Sequence, residues 1–253
     1  MRRLLAIGAL ALALPAAAAG AGNVQLGYHL FGQYCVACHG VEGSGVPPAR
    51  IIGAGNGRVQ RQQLGLAPSL QGVGALAADF YLRTGYMPLQ HVGMQPHRQR
   101  VFFSETQLQG LIAYIASLGA GPKVPRPQPE RGSLSEGLHL FTEHCAGCHQ
   151  VVAEGGYVTG AVPPPLKEAT ATQIAEAIRI GPYVMPRFST KALSPAQVNS
   201  IVRYVLWARH PDDRGGWGIG HVGPIPEGLV TWFLGMTVLV AACVVIARRL
   251  RSD

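Results

Sequence analysis

Charge is scarce in this chain: only 13% of the 253 residues are Asp, Glu, Lys or Arg, and aromatics reach only 7%. With 33 glycines and 19 prolines, such a composition would ordinarily imply loose structure. The net charge of +8 does not point to nucleic acid, because no basic stripe interleaved with aromatics is present. Five positive charges sit at the ends, on Arg2, Arg3, Arg248, Arg249 and Arg251, leaving 16 basic and 11 acidic residues between 22 and 226. No Ser-His-Asp or paired-carboxylate arrangement is visible, so hydrolytic chemistry has no candidates. Gly53, Gly55 and Gly57 lack a preceding strand and a following lysine, which removes a phosphate-binding loop. Cysteine is also sparse: beyond two close pairs, the fifth is Cys243, in an apolar run where no redox duty is expected. A structural zinc site needs four protein ligands, and neither pair is followed by cysteines that would complete one.

What the chain does have is a repeat. The stretch GYHLFGQYCVACH at 27–39 returns as GLHLFTEHCAGCH at 137–149. Cys35, Cys38 and His39, and again Cys145, Cys148 and His149, form C-x-x-C-H, the signature of covalent c-type haem attachment. Two thiols three apart on a helical turn can each add to one haem vinyl group while the adjacent imidazole reaches the iron. A thiol–disulfide motif would explain the cysteine pairs but not the histidine after both. Two bound haems would also supply the apolar core area that a loop-rich chain lacks.

Residues 1–21 combine Arg2 and Arg3 with a Leu/Ala-rich run and small residues around Ala17–Ala19. That is the pattern of a secretory signal peptide, with an uncleaved N-terminal anchor as the alternative. Either sends the rest of the chain out of the cytoplasm, where haem c is attached. The first haem domain spans 22–120. Its leading helix over 24–39 presents Leu26, Leu30 and Phe31 on one face, a Gly/Pro-rich loop runs to Ala67, and a helix near 75–83 leads into TGYMP at 84–88. The closing helix over 104–118 has Ser104 and Gln107 as a capping box and Leu108, Leu111, Ile112 and Ile115 as its buried stripe.

Residues 121–132, with proline in alternate positions, read as a short semi-rigid spacer. The second domain, 133–210, repeats the order: a helix over 135–144, PPPL at 163–166, a helix near 172–179, Met185-Pro186, and a closing helix capped by Ser194 and Gln197 with Pro195 at its first position. The haem motifs lie 110 residues apart, the Met-Pro pairs 98 and the closing-helix tyrosines Tyr114 and Tyr204 90, so the first copy is longer by twelve residues in one loop and eight in another. After a glycine-rich segment, 211–226, the stretch 227–248 holds 20 uncharged residues from Gly228 to Ala247. As a helix these cover about 30 Å, enough to span a bilayer. Trp232 suits the interface, and the arginines that follow put the tail, 249–253, in the cytoplasm and the haem domains outside.

Each iron needs a sixth ligand for fast electron transfer. Met185 is the second domain's only methionine. In the first, Met87 shares with Met185 the following proline and a place after a short helix; Met94 has only proximity, and His91 or His97 could replace Met87 in another ligation state. Methionine is commonly core filler, yet both of these sit on Gly/Pro-bounded loops. A thioether raises the iron potential, which suits the oxidising half of a respiratory chain. His29 and His139, matched six residues ahead of the first cysteines, fit surface or helix-packing roles. Phe31 and Phe141 are expected against the porphyrin or the closing helices, Leu70 and Leu166 in the haem pockets, and Arg58, Arg61 and Arg83 beside propionates.

Together these features resemble one family. The dihaem layout, TGYMP at 84–88, GPYVMPRF at 181–188 and GGWGIG at 215–220 running through Gly223-Pro224 and Glu227-Gly228 into one C-terminal helix are similar to the dihaem cytochrome c subunit of actinobacterial menaquinol-cytochrome c reductase. The resemblance implies a mostly α fold: tandem duplicated class I cytochrome c domains plus a C-terminal transmembrane helix. It implies a subunit of a cytochrome bc-type translocase in the cell membrane, beside cytochrome b and Rieske iron-sulfur subunits. Two covalently bound c-type haems would pass electrons to a cytochrome oxidase, often within a permanent supercomplex. By position, the haem of Cys145, Cys148, His149 and Met185 would be the acceptor, and that of Cys35, Cys38, His39 and Met87 the exit. Two other readings stay open. One is a membrane-tethered dihaem carrier between a periplasmic dehydrogenase and an oxidase; the other is a dihaem peroxidase, which needs an open iron position that a methionine in each repeat argues against.

Overall fold

The computed structural model describes residues 16–45, 67–90, 94–210 and 224–252. The expectations placed on Gly53, Gly55, Gly57, Arg58, Arg61, His91 and the segment 211–223 lie outside them. Among the described residues the chain is helical, with one isolated β-bridge between Val158 and Ala161. It divides into two units, Met1–Pro125 and Arg126–Asp253.

In the first unit, α1 (Ala16–Tyr34) leads into the haem motif, and α2 (Val36–His39) is a single turn within it. The helix expected over 24–39 is thus two, because Cys35 at φ −119° steps out of helical geometry. The turn still closes, since the Cys38 and His39 N–H groups both donate to the Cys35 carbonyl at 3.1 and 2.9 Å. Helices α3 (Gly74–Arg83) and α4 (Glu105–Ser117) complete the unit. At the start of α4 the Ser104 hydroxyl accepts from the Gln107 N–H, and the Gln107 side chain accepts from the Ser104 N–H. Losing such a cap costs about 0.5–2 kcal/mol. The expected stripe is buried: Leu108, Leu111, Ile112 and Ile115 join Leu30, Phe31 and Leu82 in one core.

How closely α1 can approach α4 is decided by two glycines. A Cβ on Gly27 would lie 2.0 Å from the Gly110 carbonyl oxygen, so any side chain there would force the helices apart. The contact lets Phe31, 2% exposed, reach the Tyr114 ring at 5.2 Å and 51°.

The second unit repeats this arrangement with α5 (Leu134–His144), α6 (Ala146–His149), α7 (Ala171–Ile180) and α8 (Pro195–Ala208). Phe141 meets Tyr204 at 5.3 Å and 51°. Gly137 meets the Ser200 carbonyl, again 2.0 Å from an added Cβ. The buried Ser200 hydroxyl accepts from the Ser133 N–H at 2.9 Å and donates to Glu136 at 2.7 Å, pinning the start of α5. The expected box of Ser194 and Gln197 is present, and Thr170 with Gln173 forms another at the start of α7. Phe31 and Phe141 therefore both pack on the closing helices.

The stretch 121–132 is fastened at each end to its own unit. The Leu76 N–H donates to the Pro122 carbonyl at 3.1 Å, whereas the Gln128 N–H donates to Asn199 at 2.8 Å and Arg203 donates to the Gly132 carbonyl at 2.6 Å. Finally, α9 (Pro224–Ser252) contains an apolar span over Gly228–Arg251, and every described side chain on it is exposed.

Candidate functional site

The two histidines of the repeat are held in the same way. His39 Nδ1 lies 3.0 Å from the Pro68 carbonyl and His149 Nδ1 3.1 Å from the Pro164 carbonyl. A carbonyl oxygen can only accept, so each Nδ1 carries the proton and each Nε2 keeps its lone pair for a metal. His149 is 9% exposed. Burial pushes its pKa below the ordinary histidine value, partly opposed by the bond to Pro164, so it is a neutral imidazole near neutral pH. Hydrogen bonding of the far nitrogen is how metal-ligating histidines are usually oriented.

The loop after each histidine repeats bond for bond. The Gly45 N–H donates to the His39 carbonyl at 2.7 Å, and the Gly155 N–H to the His149 carbonyl at 3.1 Å. Leu70 donates to the Gly43 carbonyl at 2.7 Å, and Leu166 to the Ala153 carbonyl at 2.9 Å. These bonds draw Pro68 and Pro164 back over the histidines. The turn needs positive φ at three places, and at the third both domains use glycine, Gly45 at φ 83° and Gly155 at φ 78°. The first domain supplies Gly40 at φ 73° and Gly43 at φ 65°, whereas the second uses Gln150 at φ 58° and Ala153 at φ 59°. In the second domain the Tyr204 hydroxyl also donates to the Val151 carbonyl at 2.7 Å, tying this loop to α8.

Aligning the prolines also locates the loop growth. Pro68 and Pro164 are 96 residues apart, so the first copy is fourteen residues longer between histidine and proline and two shorter from there to the methionine. The difference of twelve is their net.

Cys35 and Met87 pack against the core of the first unit, beside Val36 and Leu70. Cys145 and Met185 pack against that of the second, beside Ala146 and Leu166. Among the described residues Met87, and not Met94, is in that cluster. Cys38 and Cys148 are exposed. Burial, with a smaller push from the partner cysteine, raises the Cys35 and Cys145 thiols to about 11, so as free groups they are neutral, which suits their apolar surroundings.

The methionine loops are fastened differently. The Met87 N–H donates to the Tyr81 carbonyl at 3.0 Å, back onto α3. In the second unit the Met185 N–H closes a turn on Pro182 at 3.0 Å, the Phe188 N–H bonds the Ile178 carbonyl at 3.0 Å, and Arg179 donates to the Phe188 and Ser189 carbonyls at 3.2 and 2.9 Å.

Arg83, expected beside a propionate, is held by carboxylates of the protein itself. Its guanidinium is engaged by Asp79 at 2.8 Å and by both Glu105 oxygens at 2.6 and 2.7 Å, joining α3 to α4. Its position one turn after Asp79 makes this pairing available within the helix. His29 is exposed and 3.2 Å from Gln25, and His139 is exposed and 3.9 Å from Glu143, so both are surface groups. The proline carbonyls were the functional groups missed in sequence; the shared Pro-x-Leu at 68–70 and 164–166 was the available sign.

Each unit thus gathers, around one core, two thiols at thioether spacing, an imidazole with Nε2 as its unprotonated nitrogen, and a methionine sulfur. This donor set fits a c-type haem.

Residues 24–119 match the family described as Cytochrome c, and residues 132–205 match Cytochrome C oxidase, cbb3-type, subunit III. The chain is 34% identical over 235 residues to the protein of Mycobacterium tuberculosis (strain ATCC 25618 / H37Rv) named Cytochrome bc1 complex cytochrome c subunit, covering 89% of this chain and 78% of that one. To the protein of the same name from Corynebacterium diphtheriae it is 31% identical over 244 residues, covering 89% and 81%. A more distant relative is the Cbb3-type cytochrome c oxidase subunit CcoP of Azospirillum sp. (strain B510), 25% identical over 208 residues, with 71% and 60% covered. Cytochrome c domains imply covalently bound c-type haem. With two such domains and relatives of this kind over most of its length, the chain belongs to the family of cytochrome c subunits of the cytochrome bc1 complex.

Proposed function

We propose that this chain is the dihaem electron relay of a menaquinol-cytochrome c reductase. Cys35 and Cys38 hold one haem covalently, with His39 and Met87 on its iron; Cys145 and Cys148 hold the other, with His149 and Met185. The observation that carries this reading is the repeated histidine–proline bond, which presents Nε2 as the unprotonated nitrogen beside each cysteine pair. When bound, haem supplies a one-electron iron couple, and a methionine sulfur as sixth ligand favours the reduced state. The chain's own groups do the rest: Pro68 and Pro164 orient the imidazoles, Arg179 and the Tyr81 carbonyl secure the methionine loops, and the Phe31 and Phe141 cores keep each site rigid.

The second domain, nearer the membrane helix in sequence, accepts an electron from the Rieske iron-sulfur subunit. The first domain delivers it to a cytochrome oxidase. Helix α9 anchors the chain in the cell membrane beside cytochrome b, with Arg248, Arg249 and Arg251 on the cytoplasmic side and both domains outside.

Mild-detergent purification through a tag on this chain tests the reading, with subunit identification and haem spectra on one sample. Expected are Rieske and cytochrome b subunits, two haem equivalents, and a thioether–iron charge-transfer band that falls by about half when Met87 or Met185 is replaced. Recovery with a soluble dehydrogenase and no Rieske subunit would favour a carrier outside any quinol-oxidising complex.

A further inference from the structure

We propose that Tyr34, Phe102 and Arg100 form the docking face by which the first domain engages its electron-accepting protein partner, a surface with an apolar centre ringed by carboxylates. The proposal rests on the relay reading above and adds the face and the chemistry that meets it.

Tyr34 immediately precedes the attachment cysteine Cys35 and is 46% exposed; Phe102 is 62% exposed. Isolated exposed apolar residues are ordinary, but these two are not isolated. Their rings meet edge-on at 5.4 Å, and both rest on the buried Phe103, at 5.4 and 5.0 Å. Aromatic rings already fixed by a buried neighbour lose little entropy on binding, which is why such groups dominate interface energetics.

The flank is basic. From Gly85 to Ser104 there is no Asp or Glu, while Arg98 and Arg100 are present and Arg100 is exposed. The next carboxylate, Glu105, is neutralised by the two bonds from Arg83. This segment is seated close to the methionine. The Gln99 N–H donates to the Thr84 carbonyl at 3.2 Å, and Gly85 lies so close that a Cβ would be 2.4 Å from the Gln99 oxygen. The face therefore borders the attachment cysteine at one end and, at the other, the backbone that leads into Met87.

The second domain repeats the basic flank, since 181–194 also lacks Asp and Glu and carries the exposed Arg187 and Lys191, but it does not repeat the aromatic pair. By the spacings of the duplication, His144 stands for Tyr34, Ala192 for Phe102 and Leu193 for Phe103, and the loop carrying Arg98 and Arg100 is the one that is eight residues longer in the first copy. A partner met by one domain only accounts for a face built on one domain only. Positive charge beside an apolar centre steers an acidic partner and fixes its register.

The test uses the full chain in its detergent-purified assembly, with Phe102→Ala, Arg100→Glu and, as a second-domain control, Lys191→Glu. The probe is cytochrome oxidase purified from the same membranes and added back, and the readout is the rate of haem oxidation against ionic strength. Phe102→Ala and Arg100→Glu should each slow oxidation about tenfold, Arg100→Glu should flatten the salt dependence, and Lys191→Glu should change neither. Because the altered side chains are exposed, quinol-driven haem reduction and the charge-transfer band should stay at wild-type levels, which separates docking from folding. Wild-type oxidation rates in both first-domain variants, or a loss confined to Lys191→Glu, would overturn the face. A slowed variant in a preparation that lacks Rieske and cytochrome b would uphold the face and sink the reductase assignment.

Discussion

Replacing Gly27 with alanine should destabilise the first domain, whereas the same change at Gly32, on the same helix, should stabilise it. A methyl at 27 would stand 2.0 Å from the Gly110 oxygen, 2.5 Å from its carbon and 2.6 Å from the Tyr114 Cβ. Since apolar contacts settle at about 3.5–4.0 Å, α1 and α4 must part by about 1.5 Å, and a gap of that size forfeits about half of the dispersion well or more. A buried side chain at least as large as leucine, as Phe31 is, makes about 40–60 contacts of about 0.1–0.2 kcal/mol, so its share of the loss is about 2–6 kcal/mol. Alanine's better helix propensity returns about 1 kcal/mol. The net loss is about 1–5 kcal/mol, a large part of the ~5–15 kcal/mol that holds a domain folded. At Gly32 nothing lies within 4 Å of an added methyl and the position is exposed, so only the propensity gain remains. Because two domains can unfold separately, the assay is denaturant titration of the haem-loaded chain in a Met185→His background, where the remaining thioether–iron band reports on Met87. Equal midpoints for the two variants would refute the close crossing.

Gln150→Gly should stabilise the second domain by about 1 kcal/mol, because φ 58° and ψ 160° form a region only glycine occupies readily, and its counterpart is Gly40; a denaturant midpoint unchanged or lowered in a Met87→His background contradicts this. Arg179→Gln should loosen the loop holding Met185 while sparing Met87, lowering the second domain's reduction potential and weakening the charge-transfer band by at most half; an unchanged potential titration would remove Arg179 from this role. Glu105, held down to about 2 chiefly by its bonds from Arg83 and then by Gln109, contributes stability that is present above the unfolded carboxylate pKa of about 4.3 and is lost as pH falls through about 2. The carboxylate is mostly exposed, so the effect is below about 1 kcal/mol. Unfolding midpoints of Glu105→Gln and wild type should converge as pH falls from about 4.3 to about 2, and parallel curves over that range would count against the pairing.

Much of the fold was legible because its signals are local. A capping box needs four consecutive residues, and Ser104 with Gln107 and Ser194 with Gln197 formed as read. The stripe of α4 follows from helical period alone. The Arg83–Glu105 pair was not legible for the opposite reason: the partner lies 22 residues away, and charge counts carry no information about which carboxylate a guanidinium meets. The crossing of α1 on α4 was hidden because a glycine in a helix looks like a weakness until the neighbouring backbone is seen.

From its sequence alone, this protein's chemistry of attachment was determined: cysteines three apart with a histidine next in line form one turn of chain, and that chemistry depends on nothing farther away. Tertiary structure alone decided which imidazole nitrogen keeps its proton. The carbonyls that hold it, Pro68 and Pro164, come from 29 and 15 residues beyond their histidines, and loops of such different length converge on the same bond only after the chain has folded.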